Sequence, residues 1–329
     1  AGNAVAIKPS EQATLTTLEF MKFFKSLPFG IVACLTGDQT TGTSLIKNRK
    51  VKIVSFTGSA STAKTIYENC AKLFKPCHLE GGGSDTMVIS NKTDINFAAK
   101  AAITSSFHLS GQICTSTEHL LIHENIYEKF KNLFVKKMSE LRVGDGLAKN
   151  EIGPVANSKT FNKANNIISD ALKHGANVIY HKDHKVIMRK KGYFIPPTLI
   201  ENINSKMICN KEEIFAPIVT ISKYRNIKNV VKSVNKSEFG LGFNLISNDL
   251  SENLYLAENI ETGLFWSNNP LIDNDALSFG GIKKSGIGRE LGKIGLDTFR
   301  NTKMVVIDPE QKIHDWWYPY SEKQLKQFN

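Results

Sequence analysis

The sequence predicts an α/β fold built on a parallel, doubly wound sheet, and three observations lead there. Short apolar runs of strand length alternate with helix-length amphipathic segments along most of the chain. The breaks between them are small-residue turns such as Thr36-Gly37-Asp38 and Thr57-Gly58-Ser59. At 329 residues, 41% hydrophobic and 22% charged, the chain can bury one large or two moderate cores.

Taken in order, residues 5–8 read as a strand end, and Ser10 followed by Glu11 caps a helix over residues 11–27. Residues 30–35 form a buried strand, 41–48 a short helix, 51–56 a strand and 60–73 a helix. Beyond the triplet Gly81-Gly82-Gly83 the rhythm resumes, with strands at 87–89 and 120–122 and helices at 94–108 and 126–140. A helix at 161–174 and a strand at 178–180 follow. Strands at 218–222, 242–246 and 263–266 then enclose helices at 229–235 and 251–262. A last strand is expected at 301–308, where an unpaired edge would be a pairing template, followed by the aromatic cluster of residues 314–320.

The net charge of +11 comes from lysines spread along the chain, and the densest basic runs are short, so no nucleic-acid partner is expected. No run of 18 apolar residues occurs and no basic-then-apolar leader opens the chain, which predicts neither a membrane partner nor a secretory signal. Five scattered cysteines without a CxxC pair indicate reduced thiols in a cytoplasmic compartment. His119 and His123 flank a strand-like run, and no metal site is expected.

Two residues stand out chemically. Cys114, in Ser110-Gly111-Gln112-Ile113-Cys114-Thr115, follows small residues that leave backbone amides free to approach a developing oxyanion, and a thiol is the strongest ready nucleophile near neutral pH. The other cysteines read as core residues. Glu80, between Leu79 and three glycines, is partly desolvated and suited to act as a base. Phe56-Thr57-Gly58-Ser59 closes a strand and opens a helix, where free N–H groups favour a phosphate.

These motifs, with Glu212-Glu213-Ile214-Phe215-Ala216-Pro217 and residues 278–290, resemble the aldehyde dehydrogenase superfamily over about residues 1–308. The resemblance implies that Cys114 attacks an aldehyde, that NAD or NADP accepts the hydride, and that Glu80 activates water. It implies cofactor contacts at Lys8, Ser10, Glu11, Gly37, Phe56, Thr57, Gly58, Ser59, Gly82, Glu213 and Phe215, and substrate contacts at Phe107, Gln112 and Phe279. Lys8 and Glu11 would bracket the adenosine ribose, and Glu11 would repel a 2′-phosphate, which favours NAD. The implied architecture is an incomplete Rossmann-like cofactor domain (1–82), an α/β catalytic domain (83–285), and a return segment with an oligomerisation strand and tail (286–329). A homodimer or homotetramer is implied.

The chain starts on an apolar run without Met, so it is expected to lack the family's N-terminal segment, including an Asn oxyanion donor whose loss costs on the order of 10²–10³ in rate. It departs from the family at Gly81 (usually Leu), Leu109 (Asn), Ala63 (Gly), Ala216 (Gly) and His119 (Arg). The Ser84-Asp85 pair resembles the succinate-semialdehyde type, so succinate semialdehyde is the expected substrate. Glyceraldehyde, lactaldehyde or general aliphatic aldehydes are alternatives, as is a catalytically impaired cofactor-binding subunit. Glu80 argues against acyl transfer to coenzyme A.

Overall fold

A computed structural model describes residues 1–314 and 316–326. Position 315 of the expected aromatic cluster and positions 327–329 of the expected tail lie outside the described residues. Ala1–Phe299 form one compact unit and Arg300–Asn329 a second.

In the first unit, β1 (Val5–Ile7) pairs in parallel with β2 (Val32–Cys34). β3 (Val54–Thr57) runs parallel to β4 (Cys77–Glu80). The main sheet draws on β5 (Asp85–Ile89), β6 (Thr117–His123), β7 (Asn177–Tyr180), β8 (Thr198–Glu201) and β9 (Ile218–Tyr224). β10 (Phe239–Gly240), β11 (Gly242–Ile246), β12 (Leu264–Ser267), β13 (Ile282–Lys283) and β14 (Gly286–Ile287) complete the set. The seven-stranded order is β12-β11-β5-β6-β9-β8-β7, parallel except for the antiparallel edge strand β7. Every residue of β5 and β11 is buried, as expected of central parallel strands covered on both faces. The helices Ile95–Phe107 and Tyr127–Glu140 close one face. Phe130, Phe134 and Met138, four apart, lie on a single helical stripe in the core with Phe107. Each such side chain contributes about 1.5–3 kcal/mol by leaving water.

Polar caps set the helix starts. Asp94 accepts from the Phe97 N–H at 2.6 Å, and Asn157 from the Thr160 N–H at 2.9 Å. β14 pairs antiparallel with β4, setting Gly286 opposite Glu80, so the late glycine-rich segment lies on the strand that carries the candidate base.

Several expectations need correction. The helix expected over 11–27 is broken into a 3₁₀ turn at Glu11–Ala13, an α segment at Thr14–Phe20 and a second 3₁₀ turn at Met21–Phe24. No residue in these pieces is buried, so no packing offsets the cost of its β-branched threonines. The strand at 30–35 is not buried, because it belongs to a two-stranded sheet and Ile31 and Leu35 are exposed. Residues 301–308 carry no strand: a ladder needs a partner, and none pairs with them among the described residues. No helix among the described residues is long and apolar enough to cross a membrane.

Candidate active site

Cys114 follows an unusual turn. After the helix Ile95–Phe107, Leu109, Ser110 and Gly111 all take left-handed backbone conformations, with φ of +48°, +59° and +70°. Such a run persists only when its surroundings hold it. Here the Ser110 hydroxyl donates to the Gly153 carbonyl at 2.9 Å. The Gln112 amide donates to the Leu109 carbonyl at 3.1 Å and accepts from the Ala156 N–H at 2.9 Å. Gln112, expected at the substrate, thus commits its amide to this loop. Phe107, also expected there, is a core residue only 1% exposed, because the last helical turn points it at Phe134.

The thiol itself differs from the expectation of a ready thiolate. Its pKa is pushed up to about 12, first by burial and then by the carboxylates of Asp85, Glu213 and Glu80, against a hydrogen bond from the Thr115 backbone. The same charges show that three carboxyl groups from separate strands and loops converge on this cysteine. Gly83 makes that possible: a Cβ there would collide with the Cys114 carbonyl oxygen.

Glu80 ends β4 and is 3% exposed. Its Oε1 lies 3.2 Å from His78 Nε2, and His78 Nδ1 lies 3.1 Å from the Ser55 hydroxyl on β3. Its Oε2 is buried without a hydrogen-bond partner in the protein. Gly280, at φ +150°, permits this approach, since a Cβ there would sit 2.7 Å from Glu80 Oε1. Glu290 is near enough that burial, then the Glu80 charge, raises its pKa.

Glu213 backs onto the glycine triplet. Its Oε1 accepts from the Gly83 N–H at 3.1 Å, and a Cβ on Gly82 would meet that oxygen at 2.6 Å. Burial raises the Glu213 pKa. The turn beyond it is held from β6, where Glu118 Oε1 accepts from the Ile214 and Phe215 N–H groups at 2.7 and 2.9 Å. Phe215 has φ +53°, a strained conformation for an aromatic residue that the Glu118 bonds sustain. Asp85 is 2% exposed, accepts from the Gly242 N–H at 3.0 Å, and has its pKa raised by burial to about 8.

The expected cofactor residues lie mostly at strand ends. Lys8 follows β1 and pairs with Glu11 at 3.1 Å, while Ser10 accepts from the Gln12 N–H at 3.3 Å. Gly37 precedes Asp38, the cap of the helix Gln39–Lys47. Phe56 and Thr57 end β3, Gly58 donates to the Glu80 carbonyl at 2.9 Å, and Ser59 caps the twelve-residue helix Ala60–Ala71. Carboxyl ends of parallel strands and a capped helix N-terminus next to Glu80 are a setting suited to a dinucleotide phosphate. These residues fit the cofactor. Phe279 is half-buried, and its backbone bridges to Glu290 at 2.7 and 2.8 Å.

His119 bonds Ser84 at 2.9 Å and Thr220 at 2.8 Å, and burial lowers its pKa to about 4; His123 packs edge-on against Tyr224. No group of three or more His, Cys, Asp or Glu among the described residues could hold a metal ion. Sequence alone does not single out His78 or Glu118, and it marks Asp85 only through the Ser84-Asp85 resemblance and not as a buried acid beside Cys114. Strand alternation offered one signal: in a strand ending at Glu80, His78 must share its face.

A profile of the aldehyde dehydrogenase family matches residues 1–305. Peroxisomal aminoaldehyde dehydrogenase 1 of Pisum sativum is 32% identical over 326 residues, covering 98% of this chain and 65% of the relative. The NAD-dependent aldehyde dehydrogenase of Sinorhizobium meliloti superposes with TM-score 0.91 at 27% identity, over 95% of this chain and 63% of that one. Betaine aldehyde dehydrogenase of Staphylococcus aureus, solved in complex with NAD⁺, superposes at 0.87 and 27% identity, over 96% and 63%. The chain therefore spans about 65% of the length of the curated relative it matches. With the family profile running through the whole first unit and the fold shared at this level, the chain belongs to the aldehyde dehydrogenase family.

Proposed function

We propose that this chain oxidises an aldehyde to the carboxylic acid with a nicotinamide cofactor, through a covalent intermediate on Cys114. The supporting observation is Gly83, three residues after Glu80, which donates to Glu213 Oε1 at 3.1 Å and packs so closely on Cys114 that a Cβ there would collide with its carbonyl oxygen. Bound NAD(P)⁺ would supply the hydride acceptor, held by the Gly58-Ser59 turn, Lys8, Glu11 and Glu213 against Gly82. The remaining steps fall to the chain. Cys114 Sγ bonds to the carbonyl carbon and the carbonyl oxygen takes up the proton that the thiol gives up, giving a thiohemiacetal. Loss of hydride and of the hydroxyl proton leaves a thioester. Glu80 Oε2 takes a proton from water as that water attacks, and the carbon–sulfur bond breaks to release the acid.

Glu11, exposed beyond β1, favours NAD over NADP. The matched relatives are named for aminoaldehydes and betaine aldehyde. Those names, together with the carboxyl groups of Glu80 and Glu213 near Cys114, favour a cationic aldehyde over anionic succinate semialdehyde. Residues 1–82 then serve the cofactor, 83–285 the nucleophile, and 286–329 the return and tail. Exposed Met304, Val305, Val306 and Ile307 support pairing into a homodimer or homotetramer, and five free cysteines support a reducing, cytoplasmic compartment.

The test is NADH and NADPH formation with an aminoaldehyde, betaine aldehyde, succinate semialdehyde, glyceraldehyde and lactaldehyde. Turnover that vanishes in Cys114→Ala supports the reading; no aldehyde-dependent reduction with any of them sinks it. The second reading, an impaired cofactor-binding subunit, is favoured by the high pKa of the thiol, and NAD⁺ binding without turnover would select it.

A further inference from the structure

We propose that His78 is a positioning residue for Glu80: its Nε2–H pins Oε1 so that Oε2 is left as the atom that takes the proton from water. This rests on the dehydrogenase reading above. The two residues are two apart on β4 and therefore share a face. Both are nearly sealed from solvent, at 1% and 3% exposure, with Nε2 3.2 Å from Oε1.

The direction of this bond follows from the groups available. An ionised carboxylate only accepts, so Nε2 must carry the hydrogen. The other ring nitrogen, Nδ1, faces the Ser55 hydroxyl, 3.1 Å away on the neighbouring strand. Ser55 and His78 are direct register partners of β3 and β4, so the sheet itself fixes this distance. A chain of donors thus runs from Ser55 through His78 to Glu80. The backbone of Gly288 packs close to the ring, since a Cβ there would lie 3.1 Å from its Cδ2. Glu80 Oε2, by contrast, is buried with no partner. A carboxylate tied at one oxygen and unpartnered at the other keeps the lone pairs of that second oxygen uncommitted.

The role belongs to hydrolysis alone, since addition and hydride loss do not use the pinned oxygen. In His78→Ala, the first equivalent of NADH per Cys114 should appear at the wild-type rate. Turnover should then fall about tenfold to a hundredfold, the range for losing a hydrogen bond to a charged group. Acylated Cys114 should accumulate and be visible by intact-protein mass spectrometry. His78→Gln, whose amide can donate from a similar place, should restore turnover. ¹⁵N NMR of histidine-labelled protein provides a readout that needs no activity: His78 should be the Nε2–H tautomer, and its Nε2–H signal should shift in Glu80→Gln.

An Nδ1–H tautomer overturns the proposal, as does wild-type turnover in folded His78→Ala. Equal loss of the first NADH equivalent and of turnover, unrescued by His78→Gln, also overturns it by showing a merely structural role. If wild-type protein yields no aldehyde-dependent NADH at all, the dehydrogenase reading has failed, and the tautomer measurement alone then decides whether His78 is aimed at Glu80 as stated.

Discussion

The resting thiol of Cys114 should be unreactive, and the structure sets by how much. Its pKa stands at about 12 against an ordinary value of 9.0. Near pH 8 the thiolate fraction is then about 10⁻⁴, where an ordinary cysteine would have about 10⁻¹, so alkylation should be slower by about a thousandfold. Burial is the leading cause and the carboxylates of Asp85, Glu213 and Glu80 follow it. Replacing one carboxylate therefore relieves only a minor part: Glu80→Gln or Glu213→Gln should speed alkylation, each by less than about tenfold. The assay is iodoacetamide labelling timed by peptide mass spectrometry, against a cysteine peptide in the same solution and across pH. The rate should climb about tenfold per pH unit up to at least pH 10. Labelling of wild-type Cys114 within tenfold of the peptide, or a rate that levels off below pH 9, would refute the account of burial and converging negative charge.

Three further outcomes follow from the same geometry. Asp85, raised by burial from 3.8 to about 8, binds its proton more tightly in the folded chain than in the unfolded one, so its contribution is fully present below about pH 4 and is lost as pH rises toward 8. The slope reaches about 1.4 kcal/mol per pH unit. Thermal melts of Asp85→Asn should show a flatter decline over that range, and an unchanged profile counts against a buried, titrating Asp85. Glu118→Ala strands the Ile214 and Phe215 N–H groups and should cost about 1–3 kcal/mol while weakening NAD⁺ binding by isothermal titration; Glu118→Gln, which keeps an acceptor, should do neither. Phe134→Ala opens the core beneath Phe107 and Phe130 and should cost about 3–5 kcal/mol by urea unfolding, with no effect confined to turnover.

Periodicity located most elements because buried strands carry short apolar stretches, such as Met87 to Ile89 in β5 and Leu245-Ile246 in β11, and long helices such as Ser158–Lys173 repeat their apolar face over several turns. It failed where that signal was absent. β4 alternates polar and apolar residues over four positions, and β8 is four residues long behind two prolines, so neither stands out locally. Residues 301–308 are apolar and β-prone yet carry no ladder, since a strand is a relation between two segments. At the site, Cys114 and Glu80 were legible because each sits in an unusual setting of small residues. Glu118 was not, because nothing local marks a glutamate as the partner of a turn 96 residues away, and His78 could be found only by first placing Glu80 on a strand.

From residue order alone came the α/β class, the thiol, the glutamate beside the glycine triplet and the strand-to-helix turns, all of which are short-range properties of neighbouring side chains. Tertiary structure alone decided the state of those groups. A pKa depends on solvent exclusion and on charges brought from β4, β5 and the Glu213 turn, and only folding sets those distances. The same holds for which oxygen of Glu80 is tied and which is unpartnered, because Gly280 and Gly286 approach it from segments far along the chain, and Ser55 of β3 reaches the His78 ring that ties it.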